Sequence, residues 1–166
     1  MAVAIYYASS TGNTREVAQT IANELGGKID LIDLGSEDFS EIDNYDTLIF
    51  GSSTWGDGDL QDDWEENWES FENLDLSGKT IALFGLGDQE SYEDVFVNAL
   101  GTIYEQVKKN GAAKIVGFTD TKGYEFSDST AVVDGHFVGL VIDEDNQSEL
   151  TKQRIQSWCK AIKEQI

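Results

Sequence analysis

Proline is absent from this sequence, and cysteine and histidine occur once each. A lone Cys159 excludes an intrachain disulfide, a cysteine-held iron–sulfur cluster and a cysteine-rich zinc site. A lone His136 argues against a histidine metal cage and against a Ser-His-Asp triad. Cys159 shares a helical stripe with Ile155, Trp158, Ile162 and Ile166, which reads as a packed structural thiol. His136, in Asp134-Gly135-His136, reads as an exposed loop residue. Basic residues are also scarce, with 11 Lys and Arg against 32 Asp and Glu and a net charge of −21. That balance excludes nucleic acid and anionic membrane as partners, and its sharper reading is an acidic docking face for basic proteins. Apolar runs of membrane-spanning length are missing, and the start Met1-Ala2-Val3-Ala4-Ile5 lacks the basic residues and hydrophobic length of a signal peptide. A soluble, cytoplasmic monomer is the expectation.

What is present is a regular alternation of strand and helix. With 40% hydrophobic residues and neither a linker nor a repeat, residues 1–166 read as one domain with one core. The strands fall at Val3–Ala8, Ile29–Leu34, Thr47–Gly51 and Lys79–Gly85, with a weak helical turn near Phe39–Ile42. The last strand begins at Ile115–Phe118 and continues at Phe137–Ile142, after an excursion of residues 119–136. Helical stripes run through Val17, Ala18, Ile21, Ala22 and Leu25, stopped by Gly26-Gly27, and from Val95 and Phe96 to Val107, stopped by Gly111. Trp64, Trp68 and Phe71 share one face of an acidic helix between them, as core packing. Near-continuous apolar strands in βα alternation imply a parallel sheet covered by helices on both faces.

Three strands run into polar, glycine-bearing loops. The first, Ser9-Ser10-Thr11-Gly12-Asn13-Thr14, joins a strand to a helix. The leading amides of a helix have no intrahelical acceptor, and its dipole favours an anion. Hydroxyls at Ser9, Ser10, Thr11 and Thr14 add donors, and Gly12 permits close approach of the backbone, so this loop reads as a neutral phosphate seat. The second loop carries Ser52-Ser53-Thr54-Trp55-Gly56-Asp57-Gly58-Asp59 and the third Leu86-Gly87-Asp88-Gln89-Glu90-Ser91-Tyr92.

With these three loops the chain resembles the flavodoxin family, specifically its long-chain branch, over essentially all 166 residues. The resemblance implies a flavodoxin-like doubly wound α/β fold, with a five-stranded parallel sheet of order 2-1-3-4-5 and a last strand split by an insertion. Flavodoxin is itself the standard illustration of that order, with its ligand at the switch point between the first and third strands. The implied function is a soluble one-electron carrier working through the quinone, semiquinone and hydroquinone states of FMN. Ser9, Ser10, Thr11, Gly12, Asn13 and Thr14 would hold the phosphate, and Thr54 and Ser53 the phosphate or ribityl chain. Trp55 and Tyr92 would cover the two faces of the flavin. Gly56, Asp57 and Gly58 would lie at its N5 edge, and Leu86, Gly87 and Asp88 at its pyrimidine edge. Ser53 stands where many relatives have proline. Implied partners are a basic flavoprotein reductase and other redox enzymes, docking transiently on a rim of Asp57, Asp59, Asp62 and Asp63, with Asp143 and Asp145 adding to it.

Other readings fail on spacing. Gly85–Glu90 lacks the last glycine of a dinucleotide fingerprint, no Walker lysine exists, and Asp143–Ser148 begins like a calcium loop but lacks its glycine and its closing glutamate. Two rivals remain. An FMN-dependent NAD(P)H-quinone reductase needs a second substrate pocket over the flavin, and a flavin-free receiver module needs acidic residues where Ser9, Ser10 and Ser52–Thr54 stand. The 119–136 excursion is either a spacer or a partner-recognition surface presenting Tyr124 and Phe126.

Overall fold

The computed structural model describes residues 2–166, and Met1 lies outside the described residues. In chain order the elements begin with β1 (Val3–Tyr7), α1 (Asn13–Leu25), β2 (Ile29–Asp33), β3 (Thr47–Trp55), β4 (Asp59–Leu60), α2 (Asp62–Glu66), α3 (Trp68–Glu72) and β5 (Thr80–Leu86). They continue with α4 (Asn98–Lys109), β6 (Lys114–Val116), β7 (Thr119–Asp120), β8 (Val132–Val133), β9 (His136–Phe137), β10 (Leu140–Ile142), α5 (Glu144–Gln147) and α6 (Thr151–Lys163).

The central sheet runs β10-β5-β3-β1-β2, and these neighbours pair in parallel. β5 also pairs with β6, through Thr80↔Lys114 to Ala82↔Val116, and its second half pairs with β10, through Phe84↔Leu140 to Leu86↔Ile142. Two short strands therefore share the fifth position, which is the expected 2-1-3-4-5 order with a split last strand. Alternation along β1 divides the core: Ala4 and Tyr6 face one apolar cluster with Phe50 and Leu83, and Val3, Ile5 and Tyr7 face the other with Ile49 and Phe84. The first cluster holds the aromatics Phe39, Trp64 and Phe71. The second is closed by Val17, Ala18 and Ile21 of α1 and by Ile155, Trp158, Cys159 and Ile162 of α6. Burial pushes the Cys159 thiol up to about 12, so at neutral pH it is a packed apolar group. Gly51 is demanded by this packing, since a Cβ there would sit 2.0 Å from Cζ of Phe84.

Several expected boundaries move, each for a local reason. The acidic helix is broken into α2 and α3 at Asn67, whose side-chain amide donates to the carbonyls of Asp63 and Leu34 and competes with the helical ladder. Trp64 and Phe71 are still fully buried. β3 runs four residues beyond Gly51, because β4 pairs back antiparallel on it through Thr54↔Leu60 and Trp55↔Asp59. α4 starts at Asn98, since Val97 has a positive φ of 46° and the Phe96 amide bonds to Asp128 O. Phe118 leaves the sheet after Gly117 (φ 84°), while Phe137 belongs to a separate three-stranded sheet of order β7-β9-β8. The short turn near Phe39 is a 3-10 turn at Ile42–Asn44. His136 is exposed, as expected, but sits in β9.

In the 119–136 excursion Tyr124 and Phe126 are half-buried rather than fully exposed. Both rings pack against Phe96 and Phe137 with centroids 5.0–6.1 Å apart, and the Tyr124 hydroxyl donates to Val141 O at 2.6 Å.

Candidate functional site

At the carboxyl ends of β1, β3 and β5 lies a cleft of about 220 Å³, lined by Thr11, Asn13, Thr14, Ser53, Thr54, Trp55, Leu86, Gly87, Asp88, Tyr92, Glu144 and Asp145. The three loops singled out in the sequence are thus brought together. Ser9, Ser10 and Gly12 complete the first loop, and Gly56, Asp57 and Gly58 form the turn beyond Trp55, without lining the cleft themselves.

The first loop is shaped by its own side chains. Ser9 Oγ accepts from Gly12 N at 2.9 Å, and Gly12 takes φ 95°, a conformation that L side chains rarely adopt. The first helical bond of α1 runs from Glu16 N to Gly12 O, so the amides of Asn13, Thr14 and Arg15 precede the ladder and have no partner within it. Ser10 Oγ accepts from Nε2 of Gln61, a buried residue that also caps α2 through Asp63 N. Because Ser9 and Ser10 only accept in these bonds, their hydroxyl protons remain available to an anion. Arg15, the one cation between Ser9 and Glu16, turns to Asp33 at 3.1 Å, and the partnership with Asp33 holds its guanidinium above its ordinary value.

Trp55 and Tyr92 are 42% and 48% exposed, two of the three large hydrophobic side chains left in solvent among the described residues. Trp55 is fixed in place, since its Nε1 donates to Ser53 Oγ at 2.7 Å, a bond that a proline at Ser53 would lack. It stands at the end of β3 before a turn closed by Gly58 N to Trp55 O at 3.1 Å, with positive φ at Gly56 and Gly58. Thr54 Oγ1 accepts from Ala99 N, tying the second loop to α4.

The third loop is held from within. Asp88 Oδ1 accepts from Glu90 N, Ser91 N and Asn146 Nδ2. Burial works to raise the Asp88 carboxyl, but the Ser91 amide, Asn146 and the other donors outweigh it and hold the group below the usual carboxylate range. Asp145 goes the other way: burial, then the neighbouring charges of Asp88 and Asp143, push its carboxyl up.

Sequence reasoning missed Glu144 and Asp145 as cleft residues and misplaced Asp143. Asp143 is fully buried, so it cannot belong to an exposed docking rim. Its Oδ2 accepts from Gln89 N and Nε2, its Oδ1 accepts from Asn146 N as the cap of α5, and Gln89 Oε1 in turn accepts from Glu125 N. The stretch that begins like a calcium loop is this cap, and among the described residues no acidic, histidine or cysteine group is arranged to hold a metal ion. Asp57, Asp59, Asp62 and Asp145 are exposed, and Asp63 is half-buried. Among the described residues no helix is long and apolar enough to cross a membrane.

Comparison with known proteins follows the same line. The flavodoxin family model matches residues 5–158. Flavodoxin from Picosynechococcus is 45% identical over 163 residues, covering 97% of this chain and 95% of the relative. Flavodoxin 1 from Escherichia coli is 43% identical over 164 residues, covering 98% and 93%. A solved Fusobacterium nucleatum flavodoxin bound to flavin mononucleotide superposes with a TM-score of 0.94 at 31% identity, covering 99% of this chain and 98% of that one. By fold, by near full-length identity and by the family pattern it matches, this chain belongs to the flavodoxin family.

Proposed function

We infer that the cleft between Trp55 and Tyr92 is where this flavodoxin seats FMN, with residues 1–166 acting as one cofactor-binding domain. The protein is an FMN-based electron carrier rather than an enzyme in its own right. The cofactor supplies reversible one-electron chemistry at its ring, and the chain supplies binding, orientation and electrostatics. The observation that carries the reading is the pair of exposed aromatics flanking a cleft that reaches the open N-terminus of α1.

The donor set fits a phosphate. Backbone amides of Asn13, Thr14 and Arg15, with the hydroxyls of Ser9, Ser10, Thr11 and Thr14, offer several bonds to a dianion. Each charge-assisted bond contributes about 1.5–3 kcal/mol. Thr54 and Ser53 hold the chain between phosphate and ring. Trp55 and Tyr92 cover the ring faces, adding about 0.5–1.5 kcal/mol per stacked pair beyond area burial and excluding water there. Gly56, Asp57 and Gly58 edge one side of the ring, and Leu86, Gly87 and Asp88 the other. The Asp88 carboxylate is already committed to Glu90, Ser91 and Asn146, so Asp88 acts by shaping its loop. We propose that the chain is of the long-chain type, a reading that the insertion between β6 and β10 supports.

The test is a redox titration beside an NAD(P)H oxidation assay on the FMN-loaded protein. Two separated one-electron steps with no steady-state NAD(P)H–quinone turnover are expected, whereas turnover would make the chain a quinone reductase.

Flavodoxins pass electrons to partner proteins. For this chain we propose a basic flavoprotein reductase and other redox enzymes, met in the cytoplasm by a monomer. They dock transiently on Asp57, Asp59, Asp62 and Asp63, with Asp145 at the cleft. Its second-order electron-transfer rate with a basic reductase should fall as the Debye length shrinks from about 10 Å at 0.1 M salt to about 3 Å at 1 M. A salt-independent rate would remove steering from the account.

A further inference from the structure

The third large hydrophobic left in solvent, Phe118 at 41% exposure, stands at a second cavity of about 450 Å³ that shares no lining residue with the flavin cleft. It lies between the insertion and α6. Phe118, Tyr124 and Trp158 supply aromatic walls, Leu140 and Leu150 add aliphatic surface, and the polar side chains include Arg154, Lys122 and Asp120.

Two features of charge set this cavity apart. In a chain with nearly three acids for each base, it holds two cations and one carboxylate. The carboxylate of Asp120 is engaged in its own turn, where Oδ1 accepts from Lys122 N at 3.0 Å. The guanidinium of Arg154 lies over the Tyr124 ring, 4.0 Å from its centroid, and its Nη1 is buried with no hydrogen-bond partner. Among the described residues the one ion pair is Arg15 with Asp33, so Arg154 makes no ion pair. Nη1 is closed off from the cavity, so a ligand there meets the remaining edge of the Arg154 guanidinium, and a carboxylate is the group that pairs with that edge.

We propose that this cavity is a binding site for a small amphiphilic carboxylate, one that lays an aryl or alkyl body against Phe118 and Trp158 and pairs its carboxylate with Arg154, assisted by Lys122. A neutral molecule of the same shape would leave the guanidinium without its counterion, so selectivity for the charged form is built into the site. The indole of Trp158 is a reporter within it, because its Nε1 donates to Gly117 O at 2.8 Å beside the cavity.

The test titrates the FMN-loaded protein with 3-phenylpropionate and, separately, with 3-phenylpropionamide, following the Trp158 indole and Tyr124 amide signals by NMR. Saturable shifts are expected with the carboxylate, with affinity at least about tenfold above that of the amide. Arg154→Gln should abolish that preference while leaving amide binding in place, and Arg154→Lys, which keeps the charge, should retain part of it. Equal binding of the two compounds, no saturable shift with the carboxylate, or an unchanged preference in folded Arg154→Gln would each overturn the proposal.

Discussion

At the α1 end of the cleft the anion donors are neutral, whereas the Trp55 end and α5 are edged with carboxylates. The Ser9–Thr14 loop offers amides and hydroxyls, and its nearest cation, Arg15, is spent on Asp33. The hairpin and the start of α2 carry Asp57, Asp59, Asp62 and Asp63, and α5 brings Glu144 and Asp145 to the cleft wall. In a protein of net charge −21, backbone geometry attracts one anion locally while the surrounding charge opposes any further negative charge. On the proposed reading, binding the phosphate and making reduction difficult are therefore tasks of different residues, and each can be broken alone.

The largest effect is expected at Gly12. Its φ of 95° with no neighbour near a Cβ means that Gly12→Val fails through backbone strain rather than collision. Strain of about 1–3 kcal/mol moves the loop off its geometry and should lower FMN affinity by about 5- to 150-fold. Riboflavin, which has no phosphate, should bind as before. Fluorescence titration with both flavins measures this, and a parallel loss for riboflavin would place the damage outside the phosphate seat.

Next in size is the charge at the other end. At about 10 Å in a water-like dielectric each carboxylate opposes a new negative charge by roughly 0.4 kcal/mol. Four sum to about 1.6 kcal/mol, or roughly 70 mV for one electron at about 59 mV per tenfold change. Replacing Asp57, Asp59, Asp62 and Asp63 by Asn should raise the second one-electron potential by tens of millivolts, leave the first less affected, and spare FMN affinity. A potentiometric titration without that rise would assign the low potential to the aromatic, water-excluding walls.

How much of this was legible in the sequence depended on how far apart the cooperating residues lie. The Ser9–Thr14 loop between β1 and α1 was legible because apolar periodicity switches from strand to helix across a glycine and hydroxyl loop, all within a few residues. The sheet order followed from the family resemblance, and the split of the last strand from its two apolar runs. The buried carboxylate of Asp143 was not legible, since an Asp in an acidic run reads as solvated and its partner Gln89 lies 54 residues away. Glu144 went unnamed and Asp145 was read only as a rim residue, because that same cap brings both to the cleft wall. The break at Asn67 was hidden by helical spacing that continues through Trp64, Trp68 and Phe71. The β3–β4 hairpin did leave a signal, Asp57-Gly58 between a strand and Asp59-Leu60, but the pairing that lengthens β3 is tertiary.

The smallest effect concerns Asp145. Its carboxyl is raised in the fold by burial and by the charges of Asp88 and Asp143, so the folded state holds its proton more tightly than the unfolded chain does. Above the unfolded value this group therefore opposes folding, and the penalty vanishes as pH falls below both values. Asp145→Asn should raise the urea midpoint slightly at pH 7, with the advantage shrinking as pH is lowered into the carboxylate range. A destabilised variant at pH 7 would mean that the Asp145 charge makes a favourable contact in the fold.

The central claim is that neutral donors at the α1 terminus, not cations, hold the phosphate, and the affinity ratio of the wild-type apoprotein for FMN over riboflavin tests it most directly. Two charge-assisted bonds at the low end of about 1.5 kcal/mol each already correspond to a preference of about a hundredfold. The account predicts at least that ratio, persisting at high salt because the bonds are short-ranged. Equal affinity for the two flavins would contradict it.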